Sequence, residues 1–189
     1  MKKVIIVTGH HAALKTTVSR QLGSDLGLLV YHLEEMKDII MHHDAINEDV
    51  NHNYYRKLAL KLIKKLIVDT LEVQDSVIVD IPYLDVFYSP LVTLCKDHGF
   101  ESVTLFMTGD ADVLFKRYSQ RAPYDVMFKR SDVILDILDF KDTWIPISPT
   151  LKQEHTIEVD TTTFDEQDYR ILMHQVIDKL EWKLNDSSL

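Results

Sequence analysis

A glycine, a lysine and a threonine near the start of the chain have the types and spacing of a phosphate-binding loop. Gly9, Lys15 and Thr16 match three positions of the pattern G-x-x-x-x-G-K-[ST], directly after the β-branched run 4–7. In such loops the backbone N–H groups surround an anion, the lysine reaches the outer phosphates and the hydroxyl ligates Mg²⁺. The spacing therefore predicts a site for a purine nucleoside triphosphate, ATP or another, together with Mg²⁺.

Leu14 is the departure from this pattern, because it stands where the second glycine is expected. A leucine that must take a positive φ costs roughly 1–2 kcal/mol, which corresponds to about tenfold in affinity. We expect this departure to weaken nucleotide binding without abolishing it. His10 and His11 could donate to phosphate or could contribute only their backbone to the loop. The residues predicted to contact the nucleotide here are Gly9, His10, His11, Ala12, Ala13, Leu14, Lys15, Thr16 and Thr17.

The elements that must position these residues alternate between strands and helices, which indicates a parallel α/β sheet. Short β-branched runs mark the strands, and apolar residues at helical spacing mark the helices. The segment 123–152 is assigned to no element. The predicted strands are 4–7, 28–31, 76–81, 103–107 and 156–159. The predicted helices are 15–26, 34–43, 54–71, 88–98, one from 111 and one after a capping box at Thr163 and Glu166, with a polar loop at 44–52.

Asp80 ends the third predicted strand. A carboxylate at the C-terminal end of a parallel strand points into the crevice where such sheets bind ligands. We therefore predict that Asp80 holds Mg²⁺ together with Thr16. The alternative interpretation is an aspartate that caps the following turn.

Positive charge is concentrated in one segment of an otherwise acidic chain. Five of the 21 Lys and Arg residues lie within positions 116–130. Positive charge near a strand end suits the neutralisation of charge in phosphoryl transfer. The alternative is a solvated helix whose basic residues pair with acids such as Asp112 and Asp125. The five residues are Lys116, Arg117, Arg121, Lys129 and Arg130.

Length and charge limit the remaining possibilities. The 189 residues suit one α/β domain, which we place at 1–189. The net charge of −9 argues against DNA as a partner, since phosphate backbones bind to cationic surfaces. Cys95 is the single cysteine, so no disulfide can form within the chain and a cytoplasmic location is expected. No apolar stretch approaches the length of a membrane span, and no membrane partner is expected.

These motifs together resemble the small P-loop kinases of the nucleoside- and nucleotide-kinase-like class. That class includes shikimate-kinase-like, gluconate-kinase-like, zeta-toxin-like and chloramphenicol-phosphotransferase-like proteins. The similarity covers nearly the whole chain, although only the phosphate-binding loop is specific alone. The segments that carry it are 9–17, 27–40, 77–84, 103–121 and 157–162.

The resemblance implies a three-layer P-loop fold with a five-stranded parallel sheet in the order 2-3-1-4-5 and helices on both faces. It also implies a short arginine-bearing lid at about 116–130. Glu34 or Glu35 takes the place of the carboxylate that orients or deprotonates the acceptor hydroxyl, and Lys37 lies near a basic contact to the acceptor. The last strand leads past Asp160 into a loop beside the adenine. The implied catalytic residues are Lys15, Glu34, Asp80, Arg117 and Arg121, and Arg117 and Asp160 also contact the nucleotide.

The function expected from this reading is the transfer of the γ-phosphate of a nucleoside triphosphate to a hydroxyl of a small molecule. Two alternatives stay open. One is a nucleotide-binding protein of kinase fold that lacks catalysis because of Leu14. The other is a toxin-like or RNA-end kinase, which the acidic charge and the lack of an extended basic stripe disfavour. The sequence names neither the acceptor nor the oligomeric state, and it does not separate ATP from GTP.

Overall fold

Strands and helices alternate along the chain in a computed structural model that describes residues 1–43, 51–127, 136–143 and 155–180. The strands are β1 (Lys3–Gly9), β2 (Val30–His32), β3 (Ser76–Asp80), β4 (Glu101–Thr108) and β5 (Thr156–Asp160). The helices are α1 (Lys15–Leu26), α2 (Leu33–His43), α3 (His52–Val73), α4 (Asp85–His98), α5 (Ala111–Met127), α6 (Ile137–Asp142) and α7 (Glu166–Lys179).

The five strands form one parallel sheet in the order β2-β3-β1-β4-β5. This order is the one that the resemblance implied. β1 lies at the centre, with β3 on one side and β4 on the other. The order of the strands reverses beside β1, because the chain goes from β1 to β2 and β3 on one side and to β4 and β5 on the other. Ligands bind outside the C-terminal ends of strands at such a switch point.

Two apolar cores cover the two faces of the sheet, as expected for a fully buried parallel sheet. Val4 and Ile6 of β1 pack into the core beneath α3 and α4. Ile5 and Val7 pack into the core beneath α1, α5 and α7. All four side chains are fully buried, which explains why β1 is a continuous β-branched run. The three-layer arrangement of helix, sheet and helix follows from this alternation.

The predicted elements match the observed ones closely, with several corrections. β2 runs from Val30 to His32 instead of over 28–31, and α6 lies in the segment 123–152, which was assigned to no element. The apolar residues whose helical spacing predicts a buried stripe on α3 include Leu62, but Leu62 is 45% exposed, and Leu60 is buried instead. The predicted capping box at Thr163 and Glu166 is wrong. Asp165 caps α7 by accepting from the N–H groups of Gln167 and Asp168, while the Asp168 carboxylate accepts from Asp165 N–H. The predicted loop 44–52 is too long, since Asn51 caps α3 and the helix begins at His52.

Some predicted features lie outside the described residues. These include most of the polar loop at 44–50, and Lys129 and Arg130 of the predicted lid. Within the described part of the chain, no helix combines the length and the apolar composition that a membrane crossing requires.

Candidate functional site

The phosphate-binding loop, residues 9–17, leaves the sheet at a position that admits only glycine. Gly9 has a φ of 133°, and a Cβ there would lie 2.0 Å from the carbonyl oxygen of Met107 on β4. The next residue donates its backbone N–H to the same oxygen at 2.9 Å. The close approach of β4 therefore fixes Gly9 and the direction in which the loop begins.

Two residues of the loop without glycine's freedom adopt the left-handed conformation. Ala12 has a φ of 57° and Leu14 a φ of 59°. Position 14 thus takes the positive φ that we anticipated there, and the leucine tolerates it. The Leu14 side chain packs against the core beneath α1, α5 and α7, which offsets part of the backbone strain. Leu14 is the N-cap of α1, so the loop runs directly into the helix N-terminus.

Lys15 lies at that N-terminus with its ammonium turned back over the loop. Its Nζ donates to the carbonyl oxygens of Gly9 at 3.0 Å and His10 at 2.5 Å. Burial lowers the pKa of Lys15 from 10.5 to about 8, with Arg121 acting in the same direction and the carboxylates of Asp80 and Glu34 opposing it. The ammonium is thus an incompletely compensated cation, and phosphate oxygens would compensate it.

Thr16 and Asp80, the two predicted Mg²⁺ ligands, are in contact. Thr16 Oγ1 donates to Asp80 Oδ2 at 2.8 Å, which joins the start of α1 to the end of β3. The same oxygen lies 3.0 Å from Nδ1 of His32. A hydroxyl and a carboxylate are hard oxygen donors of the kind that Mg²⁺ prefers, and Mg²⁺ usually keeps waters and substrate phosphates as its other ligands. The pair fits that ion, and the described residues contain no cluster of three or more His, Cys, Asp or Glu side chains that would hold a metal alone.

The two loop histidines differ in their surroundings. His10 is buried, and its Nδ1 lies 3.1 Å from Thr108 Oγ1 while its ring packs edge-on against Phe106. His11 is exposed and packs edge-on against Tyr118 of α5, with ring centroids 6.3 Å apart. The pKa of His11 is lowered because nearby protein atoms reduce the solvation of its ring. The charges of Lys15 and Arg121 lower it further, so the ring is neutral at pH 7. The side chain of His10 therefore packs against β4, and that of His11 packs against α5.

On the other side of the loop, helices α2 and α3 contribute an ion-pair cluster formed by Glu34, Lys37 and Arg56. Arg56 Nε donates to Glu34 Oε1 at 2.6 Å and Nη2 to Oε2 at 3.3 Å. Lys37, fully buried, donates to Glu34 Oε2 at 2.9 Å. Burial alone would raise the pKa of Glu34, but the hydrogen bonds and charges of Arg56 and Lys37 outweigh it and lower the pKa.

These contacts separate the two candidate acceptor-side carboxylates. Glu35 instead pairs with Arg20 on the exposed surface of α1. The electrostatic influence of Glu34, in contrast, reaches Lys15 and His11 in the phosphate-binding loop. Glu34 therefore lies within electrostatic range of the phosphate-binding loop. Lys37, predicted near an acceptor contact, is enclosed with its ammonium against Glu34 and Asp38.

Arg56 and His32 are the polar residues that sequence reasoning missed. Arg56 lies on the buried side of α3 between Tyr55 and Ala59, where an arginine needs an anionic partner. An arginine within the apolar stripe of the predicted helix 54–71 therefore indicates an ion pair, and this signal is present in the sequence. His32 is paired in register with Asp80 across β2 and β3. Finding it from sequence requires the strand pairing and the correct end of β2.

The two arginines of α5 that were predicted to act in catalysis have different surroundings. Arg117 extends to the turn after β5, where it donates to Thr161 Oγ1 at 3.4 Å and to the carbonyl oxygen of Thr162 at 3.2 Å. Arg121 lies one turn further along α5, with its guanidinium 6.0 Å from the centre of the Tyr118 ring. Its charge lowers the pKa of Lys15, so it lies towards the phosphate-binding loop. The structure thus distributes the two cations between two parts of the site.

Asp160 stabilises the turn on which Arg117 docks. Its carboxylate accepts from the backbone N–H of Thr162 at 2.8 Å and from the Thr162 hydroxyl at 2.6 Å, and these bonds lower its pKa. The Thr161 N–H and hydroxyl both bond to the carbonyl oxygen of Thr108. The exposed carboxylate of Asp160 is therefore engaged in shaping the turn.

Sequence comparison finds no matching family model and no matching curated protein. Comparison of structures, by contrast, finds kinases that share the fold over nearly their whole length. A candidate kinase from Chloroflexus aurantiacus superposes with a TM-score of 0.76 at 20% identity, over 95% of this chain and 96% of that one. A shikimate kinase from Bacteroides thetaiotaomicron gives 0.57 at 17% identity, over 94% and 98%. A gluconokinase from Sinorhizobium meliloti gives 0.58 at 15% identity, over 95% and 91%.

The chain accordingly has the P-loop kinase-like fold, with a five-stranded parallel sheet flanked by helices. The resemblance stated from the sequence is confirmed at this level. Identities of this size establish the fold alone, so the reaction must be argued from the site.

Proposed function

We propose that the protein is a phosphotransferase that moves the γ-phosphate of ATP, or of another purine nucleoside triphosphate, to a hydroxyl of a small molecule. The observation that carries the proposal is the contact between Thr16 Oγ1 and Asp80 Oδ2 beside the ammonium of Lys15. It brings a cation and two hard oxygen ligands to the N-terminus of α1, at the switch point of the sheet. A site of this composition suits a metal-bound polyphosphate.

In the proposed reaction, the backbone N–H groups of residues 9–17 and the Lys15 ammonium bind the phosphates. Thr16 and Asp80 hold Mg²⁺, which when bound neutralises charge on the bridging phosphate oxygens. Arg121, on the side of Lys15, stabilises the negative charge that grows on the phosphoryl group in the transition state. Arg117, docked on the turn after β5, holds the nucleoside end in place.

Glu34 receives the acceptor hydroxyl in this proposal. Its carboxylate is held by Arg56 and Lys37, and its lowered pKa makes it a weak base. We therefore assign it the role of accepting a hydrogen bond from the hydroxyl and directing the oxygen towards the γ-phosphate. Positioning of this kind supplies much of the catalysis in phosphoryl transfer, whose transition state needs little deprotonation of the nucleophile.

Leu14 does not by itself favour the alternative of a nucleotide-binding protein without catalysis. Its backbone adopts the left-handed conformation in spite of the side chain, and Lys15 and Thr16 follow in helical geometry. The acidic net charge of −9 continues to disfavour a nucleic-acid acceptor.

A thermal-shift screen followed by a turnover assay tests the proposal. ATP, GTP and a nonhydrolysable ATP analogue are added with and without Mg²⁺, and stabilisation should follow mass action on the folded state. The expected result is a higher melting temperature with a purine triphosphate and Mg²⁺. Release of the nucleoside diphosphate is then measured with a panel of hydroxyl compounds, with Lys15→Ala as the inactive control.

The outcomes separate the hypotheses. Stabilisation with turnover on one class of hydroxyl compounds supports the phosphotransferase. The non-catalytic alternative is favoured if a nucleotide stabilises the protein but neither the hydroxyl compounds of the panel nor RNA ends are phosphorylated. A protein that no nucleoside triphosphate stabilises contradicts the proposal altogether.

A further inference from the structure

His32 has a buried imidazole in contact with the proposed metal-binding carboxylate, and the reaction described so far gives it no role. The side chains of His32 and Asp80 are 10% and 9% exposed. They are partners in the parallel pairing of β2 with β3, so both stand at the C-terminal edge of the sheet. The backbone register, and not a flexible loop, therefore sets the distance between them.

The contact is made to one carboxylate oxygen. Asp80 Oδ2 accepts from Thr16 Oγ1 at 2.8 Å and lies 3.0 Å from His32 Nδ1. Because an ionised carboxylate is acceptor-only, the imidazole must carry its proton on Nδ1 and donate it. Two donors on the same oxygen, one from α1 and one from β2, fix the rotation of the carboxylate. Among the described residues, no side chain donates to Oδ1.

The geometry points to His32 as a positioning residue for the metal site. We infer that its Nδ1–H holds Asp80 Oδ2, so that Oδ1 is presented to the metal ion of a metal–nucleotide complex. This inference rests on the proposed nucleotide site. Side chains that orient a metal ligand typically change metal affinity by about 10–100-fold when they are removed.

The alternative is that His32 only fills space between β2 and β3. A space-filling ring would tolerate another ring, whereas a hydrogen-bond donor would not. His32→Phe keeps a ring without a donor, and His32→Asn keeps a donor close to the place of Nδ1 on a smaller side chain. The two substitutions therefore separate the donor from the volume.

The experiment is calorimetric titration of ATP into the parent protein and both variants over a series of Mg²⁺ concentrations. We expect His32→Phe to raise the half-saturating Mg²⁺ concentration about tenfold while leaving metal-free ATP binding within twofold of the parent. We expect His32→Asn to restore the parent value to within about threefold. Direct Mn²⁺ binding in the presence of ATP, followed by electron paramagnetic resonance, should rank the three proteins in the same order.

Three results would overturn the inference. The first is a His32→Phe protein with the parent's Mg²⁺ requirement. The second is equal loss of metal-free and metal-dependent ATP binding, since a positioning residue acts through the metal. The third is a His32→Asn protein as impaired as His32→Phe. If the phenylalanine variant does not fold, His32→Leu replaces it. A folded parent that binds no Mg-ATP contradicts the proposed function itself, whereas a binding parent with an unaffected variant contradicts only the role of His32.

Discussion

Backbone groups form most of the phosphate-binding loop, whereas charged side chains form the ion-pair cluster on the other side of the site. The loop depends on the positive φ angles of Gly9 and Leu14, and its direction is set by contact with β4. The cluster depends on Arg56 and Lys37, which hold Glu34 from two helices. The first construction can serve any polyphosphate. The ion-pair cluster is suited to one kind of substrate, since a few substitutions on α2 and α3 would alter its charge.

The two sides also differ in how their charges are balanced. Lys15 donates to carbonyl oxygens in the loop and has a lowered pKa. The binding of an anion would therefore stabilise its charged form. Glu34 is already paired with two cations, and its pKa is lowered too. In the proposed reaction the loop would therefore attract a charged ligand, and the cluster would orient a neutral hydroxyl. If this contrast is correct, changes on one side should leave the ligand of the other side largely unaffected.

The largest effect is expected from Asp80→Asn. The substitution keeps the shape of the side chain and removes the charge that would hold Mg²⁺. Turnover should fall by roughly 10²–10³-fold, as when a preorganised electrostatic group is removed from an active site, and the half-saturating Mg²⁺ concentration should rise. Steady-state kinetics over a Mg²⁺ series measures both. Asp97→Asn, on the exposed end of α4, is the matched control and should have parent activity. A full-rate Asp80→Asn enzyme would remove Asp80 from the site.

Arg56→Gln tests the other side of the comparison. Losing the two hydrogen bonds to Glu34 frees that carboxylate to move, and we expect the KM for the acceptor to rise about tenfold. The Kd for ATP should stay within about twofold of the parent, because the charge of Arg56 reaches the exposed His11, whereas the charges that act on Lys15 are those of Asp80, Arg121 and Glu34. Lys57→Gln, the exposed neighbour on α3, is the control. An equal loss of ATP affinity would break the division between the two sides.

The same variant has a pH signature. Arg56 is a main cause of the lowered pKa of Glu34, so its removal raises that pKa. Activity that needs ionised Glu34 is lost as pH falls through this pKa. The acid limb of the kcat/KM profile should therefore move to higher pH in Arg56→Gln and stay in place in Lys57→Gln.

Lys15 should make nucleotide affinity depend on pH on the alkaline side. Phosphate favours the ammonium, so binding raises a pKa that stands at about 8 in the free protein. Between pH 8 and 9 the affinity should fall by about five- to sixfold, and the uptake on binding should rise from about half a proton towards one. The stability of the free protein has the opposite pH dependence. Lys15 keeps its proton up to about pH 10.5 in the unfolded chain but only up to about pH 8 in the folded protein, so the free energy of unfolding rises as pH increases from about 8 to about 10.5. Calorimetry in buffers of different ionisation enthalpy measures the proton uptake. Lys15→Met is the control, and its nucleotide affinity should not change between pH 8 and 9.

The smallest effect is expected from Leu14→Gly. Glycine relieves roughly 1–2 kcal/mol of left-handed strain, but it loses the packing of the side chain and gains about 0.4–1 kcal/mol of unfolded-state entropy. ATP affinity should hold or tighten, by no more than about threefold, and the free energy of unfolding should change by about 1 kcal/mol or less. Ala12→Gly is the matched control, because Ala12 has the same backbone conformation with little side chain to lose. A clear loss of affinity in folded Leu14→Gly would mean that the leucine itself serves the nucleotide.

The strand–loop–helix arrangement around residues 9–17 was predictable because its sequence signals are local. Gly9, Lys15 and Thr16 lie within a few residues of one another, and the strand before them is a plain apolar run. Asp80 followed from its position at a strand end. The strand order came from the resemblance, not from periodicity, and the structure confirms it.

The remaining features depend on contacts between distant segments. The partner of Glu34 lies 22 residues away on another helix, and hydrophobic periodicity gives no register between two helices. His32 required the pairing of β2 with β3, and the predicted strand stopped one residue before it. His10 turns towards Thr108, far along the chain on β4, so its neighbours in sequence could not reveal its role. The cap of α7 was displaced by two residues because Asp165 competes successfully with Thr163.

The central claim is that the phosphate-binding loop binds a metal–nucleotide complex through Lys15 and Asp80. The most direct test is calorimetric titration of ATP into the folded parent protein at pH 7, with and without Mg²⁺, beside the same titrations of Lys15→Ala. The account predicts measurable binding of Mg-ATP by the parent, weaker binding without the metal, and a loss of at least about tenfold in the variant. The absence of heat when millimolar Mg-ATP is added to the folded parent would contradict it.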